Sequence, residues 1–403
     1  MMFALRSAKP AKRILAGLGA LVLIVIATFT IKSVRAIRNR SATVAGNRFA
    51  SHEAGKAFAR PTASKSSDKP TVEELGTVPS TRDSRYALSF ADKQYGWFAD
   101  DLSLWRSTDG GRSWKLLLSN DDILDVFFSN RQVGWMKRGS GIYRTEDGGE
   151  SWIKISTSLE YPKGMIGGMY FLNGGQTGWV VGGIHKPVSE KRFHEEQQPR
   201  YLVRDSSEPG GYAFLYQTIL KTNDGGKTWR KQSPPDEVGE IFSLNFADDT
   251  RGVALGGNDV FFTKNGGKEW RQAVFKPECV DPEFIKFADS RPRAVAFAEN
   301  LAWLSYDNGR VLRSIDGGES WCDLLRPEEV WHPGEQGAFF RQLYFLDSIN
   351  GWGLQDNGKL FKTEDGGRVW SKIDLSGEGV WEVRFFKDHA VLVTREKILK
   401  ITY

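Results

Sequence analysis

From about residue 71 onward, apolar residues occur in short runs, many of them alternating with polar ones. Runs such as Val311-Leu-Arg313 and Leu360-Phe-Lys362 lead into polar, glycine-rich segments, and Trp152-Ile-Lys-Ile155 leads out of one. Short apolar segments bounded by turn residues are typical of β-strands joined by hairpins. The pattern therefore predicts an all-β fold in which the glycine-rich segments are the turns.

The glycine-rich segments follow one motif, which recurs six times with two glycines and a tryptophan in fixed places. Its first copy reads Ser107-Thr-Asp109-Gly-Gly-Arg-Ser-Trp114. The hydroxyl and carboxylate can accept hydrogen bonds from backbone amides, the glycines allow positive φ, and the tryptophan anchors the turn in apolar packing. We interpret the motif as a structural Asp-box turn. Its acidic or amide position is held by Asp109, Asp147, Asp224, Asn265, Asp316 and Asp365.

A second motif has an aromatic residue followed about six positions later by Gly-Trp or a close variant. It occurs seven times, from Phe90…Gly96-Trp97 to the weaker Phe385…Ala390-Val391. Each copy marks a hairpin between two earlier strands, so each repeat has four strands. Seven hairpins and six boxes leave the last repeat one strand short. Because open sheet edges invite aggregation, we predict that residues 72–78 supply this strand and close a seven-bladed β-propeller over residues 71–403.

The motifs over about residues 72–403 resemble those of known propellers. The boxes are similar to those of sialidases and other BNR-repeat proteins. The fuller pattern, Gly-Trp-x-x-Gly followed by Thr-x-Asp-Gly-Gly-x-Ser/Thr-Trp, most resembles the photosystem II stability and assembly factor family. The resemblance implies a seven-bladed propeller that helps to assemble a membrane complex, without known catalysis. The resemblance supports the fold more strongly than it supports the function, because one fold serves many functions.

The chain begins with a basic segment at 1–13 and an uncharged stretch, ILAGLGALVLIVIATFTI, at 14–31. As a helix this stretch spans about 27 Å, close to the roughly 30 Å of a hydrocarbon core. We predict one transmembrane helix, a flexible linker at 32–70, and an extracytoplasmic propeller in the periplasm, a lumen or at the cell surface. A cleaved secretory signal is the alternative. Basic residues on both sides leave the orientation open.

The net charge of +5 comes from the N-terminal region. Residues 1–48 carry nine basic and no acidic side chains, and the rest carries 46 basic and 50 acidic ones. The propeller is therefore slightly acidic, which gives no support to nucleic-acid binding. Cys279 and Cys322 are too few for a disulfide scaffold, so one bridge and two free thiols both remain open.

All length irregularities fall on the propeller face opposite the boxes, in an insertion at 184–215 and in loops at 277–292 and 326–338. We call this the decorated face and expect function there. Counting back two and four residues from the first-strand phenylalanine should mark one side of that strand. The residue two positions before the phenylalanine is apolar in all seven repeats, whereas the residue four positions before it is arginine in two adjacent repeats, the fifth and the sixth. We predict a protein-binding site formed by Arg293, Trp331, His332, Arg341 and Trp381; arginines that merely reach solvent are the alternative.

No catalytic set is evident, so we predict a protein that is not an enzyme. A sialidase needs three arginines on the substrate carboxylate and a Tyr/Glu pair with an acid, and the usual Arg-containing segment before the first box is absent. We expect no metal site and no cofactor. The expected partners are protein subunits of a membrane complex, bound by a monomer. An extracytoplasmic propeller that binds or cleaves glycans is the alternative function.

Overall fold

The structure is a computed structural model of the chain. It describes residues 70–80, 86–139, 141–155, 164–172, 174–188, 202–205, 211–232, 241–277, 279–280, 290–325 and 338–403. The predicted basic segment, the anchor and nearly all of the linker lie outside the described residues. Within the described ranges, no helix is both long and apolar enough to cross a membrane.

Seven sheets, each a blade with its first strand innermost, form the predicted seven-bladed propeller. Blade 1 consists of β2 (Ala87–Phe90), β3 (Gly96–Ala99), β4 (Leu104–Ser107) and β5 (Lys115–Leu118). Blade 2 consists of β6 (Ile123–Phe128), β7 (Gly134–Arg138), β8 (Gly141–Thr145) and β9 (Ile153–Ile155). Blade 3 consists of β10 (Gly164–Phe171), β11 (Gly178–Val188), β13 (Gly211–Thr222) and β14 (Arg230–Gln232), with β12 (Leu202–Asp205) also paired to β13.

Blade 4 consists of β15 (Ile241–Phe246), β16 (Gly252–Gly256), β17 (Asp259–Thr263) and β18 (Arg271–Gln272). Blade 5 consists of β20 (Pro292–Ala298), β21 (Leu301–Tyr306), β22 (Val311–Ser314) and β23 (Ser320–Leu325), with β19 (Val274–Phe275) outside β23. Blade 6 consists of β24 (Phe340–Phe345), β25 (Gly351–Gln355), β26 (Leu360–Thr363) and β27 (Ser371–Lys372). Blade 7 consists of β28 (Glu382–Phe385), β29 (His389–Val393), β30 (Lys397–Thr402) and β1 (Thr71–Thr77).

Ring closure follows the sequence prediction, because β1 is the outer strand of blade 7. It runs antiparallel to β30, with Thr71 opposite Thr402. Leu75 packs against the core cluster that blade 7 shares with blade 1. Strands from both ends of the described chain therefore complete one sheet.

The six repeated turns join the third and fourth strands of blades 1 to 6 and share one hydrogen-bond pattern. In blade 1, Ser107 Oγ accepts from Gly111 N at 2.8 Å. The Asp109 carboxylate accepts from Ser113 N at 2.9 Å and from Ser113 Oγ at 2.5 Å. The equivalent backbone bond is accepted by Asp147, Asp224, Asn265, Asp316 and Asp365. These residues act locally and hold the turns in shape.

The tryptophan of the second strand joins one blade to the next. Trp135 Nε1 donates to Gly225 O at 3.2 Å, and its ring stacks on Phe171 with centroids 4.1 Å apart. The preceding residue must be small, because a Cβ at Gly134 would lie 2.4 Å from the ring of Phe128. The Gly-Trp motif is thus explained by packing between and within blades.

The first strands of blades 2 to 6 each contain a β-bulge at the same place. A bulge inserts one residue without a partner and shifts the alternation of side chains. The expectation that residues two and four before the phenylalanine share one side of the strand is therefore wrong for these blades. The inserted residues are Leu124, Gly167, Phe242, Arg293 and Arg341.

Two of the irregular regions are partly described. In blade 3, β11 and β13 continue in register as far as the pair Val188 and Tyr212, so the described part of the insertion extends the blade. After β18 the chain forms β19, which pairs with the outer strand of blade 5. Cys279 and Cys322 form a disulfide with Cα atoms 5.2 Å apart, which ties this connection to β23.

Candidate functional site

One residue per blade stands at the start of the innermost strand on the decorated face. In blades 2 to 6 this residue is the bulge residue, and in blades 1 and 7 it directly precedes the first strand. We call this set the rim, and it consists of Tyr86, Leu124, Gly167, Phe242, Arg293, Arg341 and Trp381. The rim changes character around the ring, with aromatic and basic residues concentrated in blades 4 to 7 and 1.

Arg293 is an exposed rim residue that is held from two sides. Its Nη2 lies 3.2 Å from Asp307 Oδ2, and its side chain is 37% exposed. Its guanidinium also lies 4.8 Å from the ring centroid of Phe339. The charge of Arg293 is therefore partly balanced by a carboxylate.

Arg341 is half-buried, and its described hydrogen bonds go to backbone carbonyls. It donates to Gln355 O at 3.3 Å, to Val380 O at 3.4 Å and to Trp381 O at 2.5 Å. No carboxylate among the described residues forms an ion pair with it. The alternative of an arginine that simply reaches solvent does not describe Arg341, because its guanidinium fixes the loop that leads into blade 7.

Trp381 and Tyr86 form an aromatic pair beside Arg341, with centroids 5.1 Å apart. They line a pocket of about 430 Å³ together with Asp356 and Glu382. We call this the platform pocket. The structure thus places Arg341 and Trp381 in contact. Trp331 and His332 lie outside the described residues.

Arg293 and Arg341 also line the central channel, a cavity of about 650 Å³. Two further charged residues line it that the sequence analysis did not select, Asp125 and Arg384. Burial raises the pKa of Asp125 to about 6, an effect that Arg384 opposes and Glu382 reinforces. Arg384 Nε donates to the carbonyl oxygen of Leu88, so it reaches across from blade 7 to blade 1.

Both missed residues lie at odd offsets before the first-strand phenylalanine. Asp125 is three residues before Phe128, and Arg384 is one before Phe385. A comparison of all offsets across the seven repeats would have found them, whereas even offsets alone could not. Within the described ranges, no group of three His, Cys, Asp or Glu side chains is arranged to hold a metal ion.

Comparisons with known proteins give similarity of fold. No protein-family model and no curated protein matches the chain. Among solved structures, YCF48 bound to D1 peptide is 19% identical, with a TM-score of 0.54, and the match covers 83% of this chain and 97% of that one. YCF48 from Cyanidioschyzon merolae is 17% identical, with a TM-score of 0.55 and coverage of 82% and 98%.

An enzyme shares the architecture as well. The GH74 xyloglucanase from Xanthomonas campestris is 12% identical, with a TM-score of 0.52, and the match covers 82% of this chain and 53% of that one. Similarity at this level of identity supports the seven-bladed fold and leaves function to the residues of the site.

Proposed function

We propose that this chain is a membrane-anchored, non-catalytic Asp-box propeller that binds a protein subunit of a membrane complex and assists assembly or stability of that complex, as photosystem II assembly factors do. The observation that carries the proposal is the rim. An exposed arginine, a half-buried arginine without a carboxylate partner among the described residues, and an aromatic pair meet at one channel mouth. Arginine and tryptophan are enriched where proteins bind each other tightly.

Four further observations support the proposal. The sequence motifs resemble the assembly-factor family, and one solved propeller of similar fold, YCF48, is described as bound to D1 peptide. Residues 14–31 have the length and composition of a membrane anchor. The disulfide between Cys279 and Cys322 is favoured in oxidising compartments, which supports a propeller outside the cytoplasm. Trp331 and His332 remain proposed members of the site.

The test is affinity purification of the anchored protein from its native cells, followed by mass spectrometry. We expect subunits or assembly intermediates of one membrane complex. Arg293→Glu should reduce their recovery at least about ten-fold, because reversed charge at an interface costs several kcal/mol. Lys268→Glu is the matched control, since Lys268 is an exposed residue of a repeated turn on the opposite face. Equal recovery with both variants would contradict a site on the rim.

A glycan-binding or glycan-cleaving role is the competing outcome of the same test. Glycoside hydrolases usually act through two carboxylates. Among the described residues, the central channel is lined by one carboxylate, Asp125, and the platform pocket by two, Asp356 and Glu382. A protein that recovers no subunits but binds on a glycan array, with binding lost in a Trp381→Ala variant, would replace the proposed function by the glycan one.

A further inference from the structure

The platform pocket differs in charge from the rest of the rim. It lies between the β25–β26 turn of blade 6 and the loop that enters blade 7. Its charged lining consists of two carboxylates, Asp356 and Glu382, and one guanidinium, Arg341. The lining of the pocket therefore has an excess of one negative charge.

Neither carboxylate is neutralised by a cation of the described chain. Asp356 Oδ1 accepts a hydrogen bond from Phe339 N at 3.2 Å. Glu382 Oε1 accepts one from Gln342 Nε2 at 2.9 Å and one from Val383 N at 3.2 Å. Within the described ranges, neither residue forms an ion pair with lysine, arginine or histidine. Each carboxylate thus has acceptor capacity left for a ligand.

Arg341 contributes to the shape of the pocket through its hydrogen bonds. Its donors bond to the carbonyl oxygens of Gln355, Val380 and Trp381, which fixes the loop that carries the Trp381 ring. The ring pair of Trp381 and Tyr86 forms an apolar wall next to the two carboxylates. Aromatic faces attract cations, and carboxylates pair with cations. The aromatic wall and the two carboxylates therefore both favour a cationic ligand.

We infer that the platform pocket receives a basic side chain, lysine or arginine, of the protein bound at the rim. The inference rests on the proposed function and adds to it a sequence requirement on the partner. The aliphatic part of such a side chain packs along the Trp381 ring, and its charged end pairs with Asp356 and Glu382. Arg293, on the neighbouring blade 5, is 37% exposed beside its partner Asp307 and can offer further donors to an acidic group of the same protein.

The test uses the full-length protein in detergent and a library of random octapeptides. We expect the bound peptides to share one position that is lysine or arginine. Replacement of that residue by citrulline or norleucine, which keep the shape and remove the charge, should weaken binding at least about ten-fold. Asp356→Asn with Glu382→Gln should abolish the preference for a basic residue. The two amides keep the oxygens that accept from Phe339 and Gln342, so the fold is expected to persist.

Two controls separate this inference from the proposed function. Lys268→Glu, on the opposite face, should select the same peptides as the unchanged protein. Absence of enriched peptides, enrichment without a basic position, or an unchanged preference in the double amide variant overturns the inference. Native-cell recovery of membrane-complex subunits tests the proposed function separately. If those subunits are recovered while the basic preference is absent, only the inference fails; a basic preference without recovered subunits contradicts the proposed assembly role.

Discussion

At the scale of single residues, the glycine that begins the second strand of a blade lies directly beneath an aromatic ring. A Cβ at Gly134 would lie 2.4 Å from the ring of Phe128, which is itself stacked on Trp97 and cannot shift freely. We expect Gly134→Ala to lower the free energy of unfolding by about 1–3 kcal/mol, as overpacking does. Urea denaturation measures this. Gly168→Ala is the control, because its Cβ would sit at an ordinary 3.6 Å, and equal losses would contradict the packing argument.

The turn aspartates give the fold a dependence on pH. Hydrogen bonds from the Thr228 hydroxyl and backbone lower the pKa of Asp224 from 3.8 to about 2. A carboxylate whose pKa is lowered in the folded state stabilises that state above its unfolded pKa, and this stabilisation is lost as the pH falls through about 2. We expect the urea concentration at the unfolding midpoint to decrease as the pH is lowered from 4 to 2, and to decrease less in the Asp224→Asn protein.

At pH 7 the same substitution should cost less than about 1 kcal/mol, within the range of mild surface changes. The reason is that Asn265 already fills the equivalent position in blade 4 and accepts the equivalent backbone hydrogen bond. Urea titrations of both proteins at several pH values measure the difference. An Asp224→Asn protein with an unchanged acid profile would contradict a role for this carboxylate in acid stability.

At the scale of elements, hairpins and turns could be predicted because their chemistry is local. Glycine pairs, turn aspartates and alternating strands lie within a few residues of one another, so the four-strand repeat follows from the sequence. The bulges could not be predicted this way. A residue such as Arg293 enters a bulge because of the pairing between β20 and β21, and the extra residue shifts every side chain before it. The channel residue Asp125 has a simpler explanation, because it lies three residues before Phe128 and a count at even offsets passes over it.

The closing strand β1 is the element on which the ring depends. Removing it would expose the edge of β30, and unpaired edges favour association. We expect a chain that begins at residue 70 to be monomeric and to unfold cooperatively. A chain that begins at residue 79 should aggregate or unfold at a lower temperature, and size-exclusion chromatography with a thermal melt distinguishes the two. Identical behaviour would mean that blade 7 is stable with three strands.

At the scale of the whole molecule, the number of blades was predictable because the hairpin motif recurs seven times, and the closing strand was predictable because a propeller must close. The contents of the site were less so. Tyr86 and Trp381 stand far apart in the sequence and meet because the ring brings blade 1 beside blade 7. No local pattern links Asp356 to Glu382 either. The two arginines and Trp381 could be selected from the sequence by residue type and by position in the repeat. The platform pocket is recognised only in the folded structure.

The disulfide also acts at this scale, because it joins the connection between blades 4 and 5 to the outer strand of blade 5. Its two cysteines are 43 residues apart. Replacing both with serine should lower the free energy of unfolding by about 2–4 kcal/mol, the usual effect of a native bridge. A reductant should lower the melting temperature of the unchanged protein and leave the serine variant unaffected. Insensitivity of both proteins would contradict a stabilising bridge.

The pairing of Thr71 with Thr402 has a consequence for chain connectivity. Two segments from the extremes of the described sequence already lie side by side as neighbours in one sheet, so a short linker could join them covalently without moving any blade. The folded ring then does not depend on which blade comes first in the sequence. A circularly permuted gene that starts within another loop between blades should encode the same ring, with its seam moved to a different sheet.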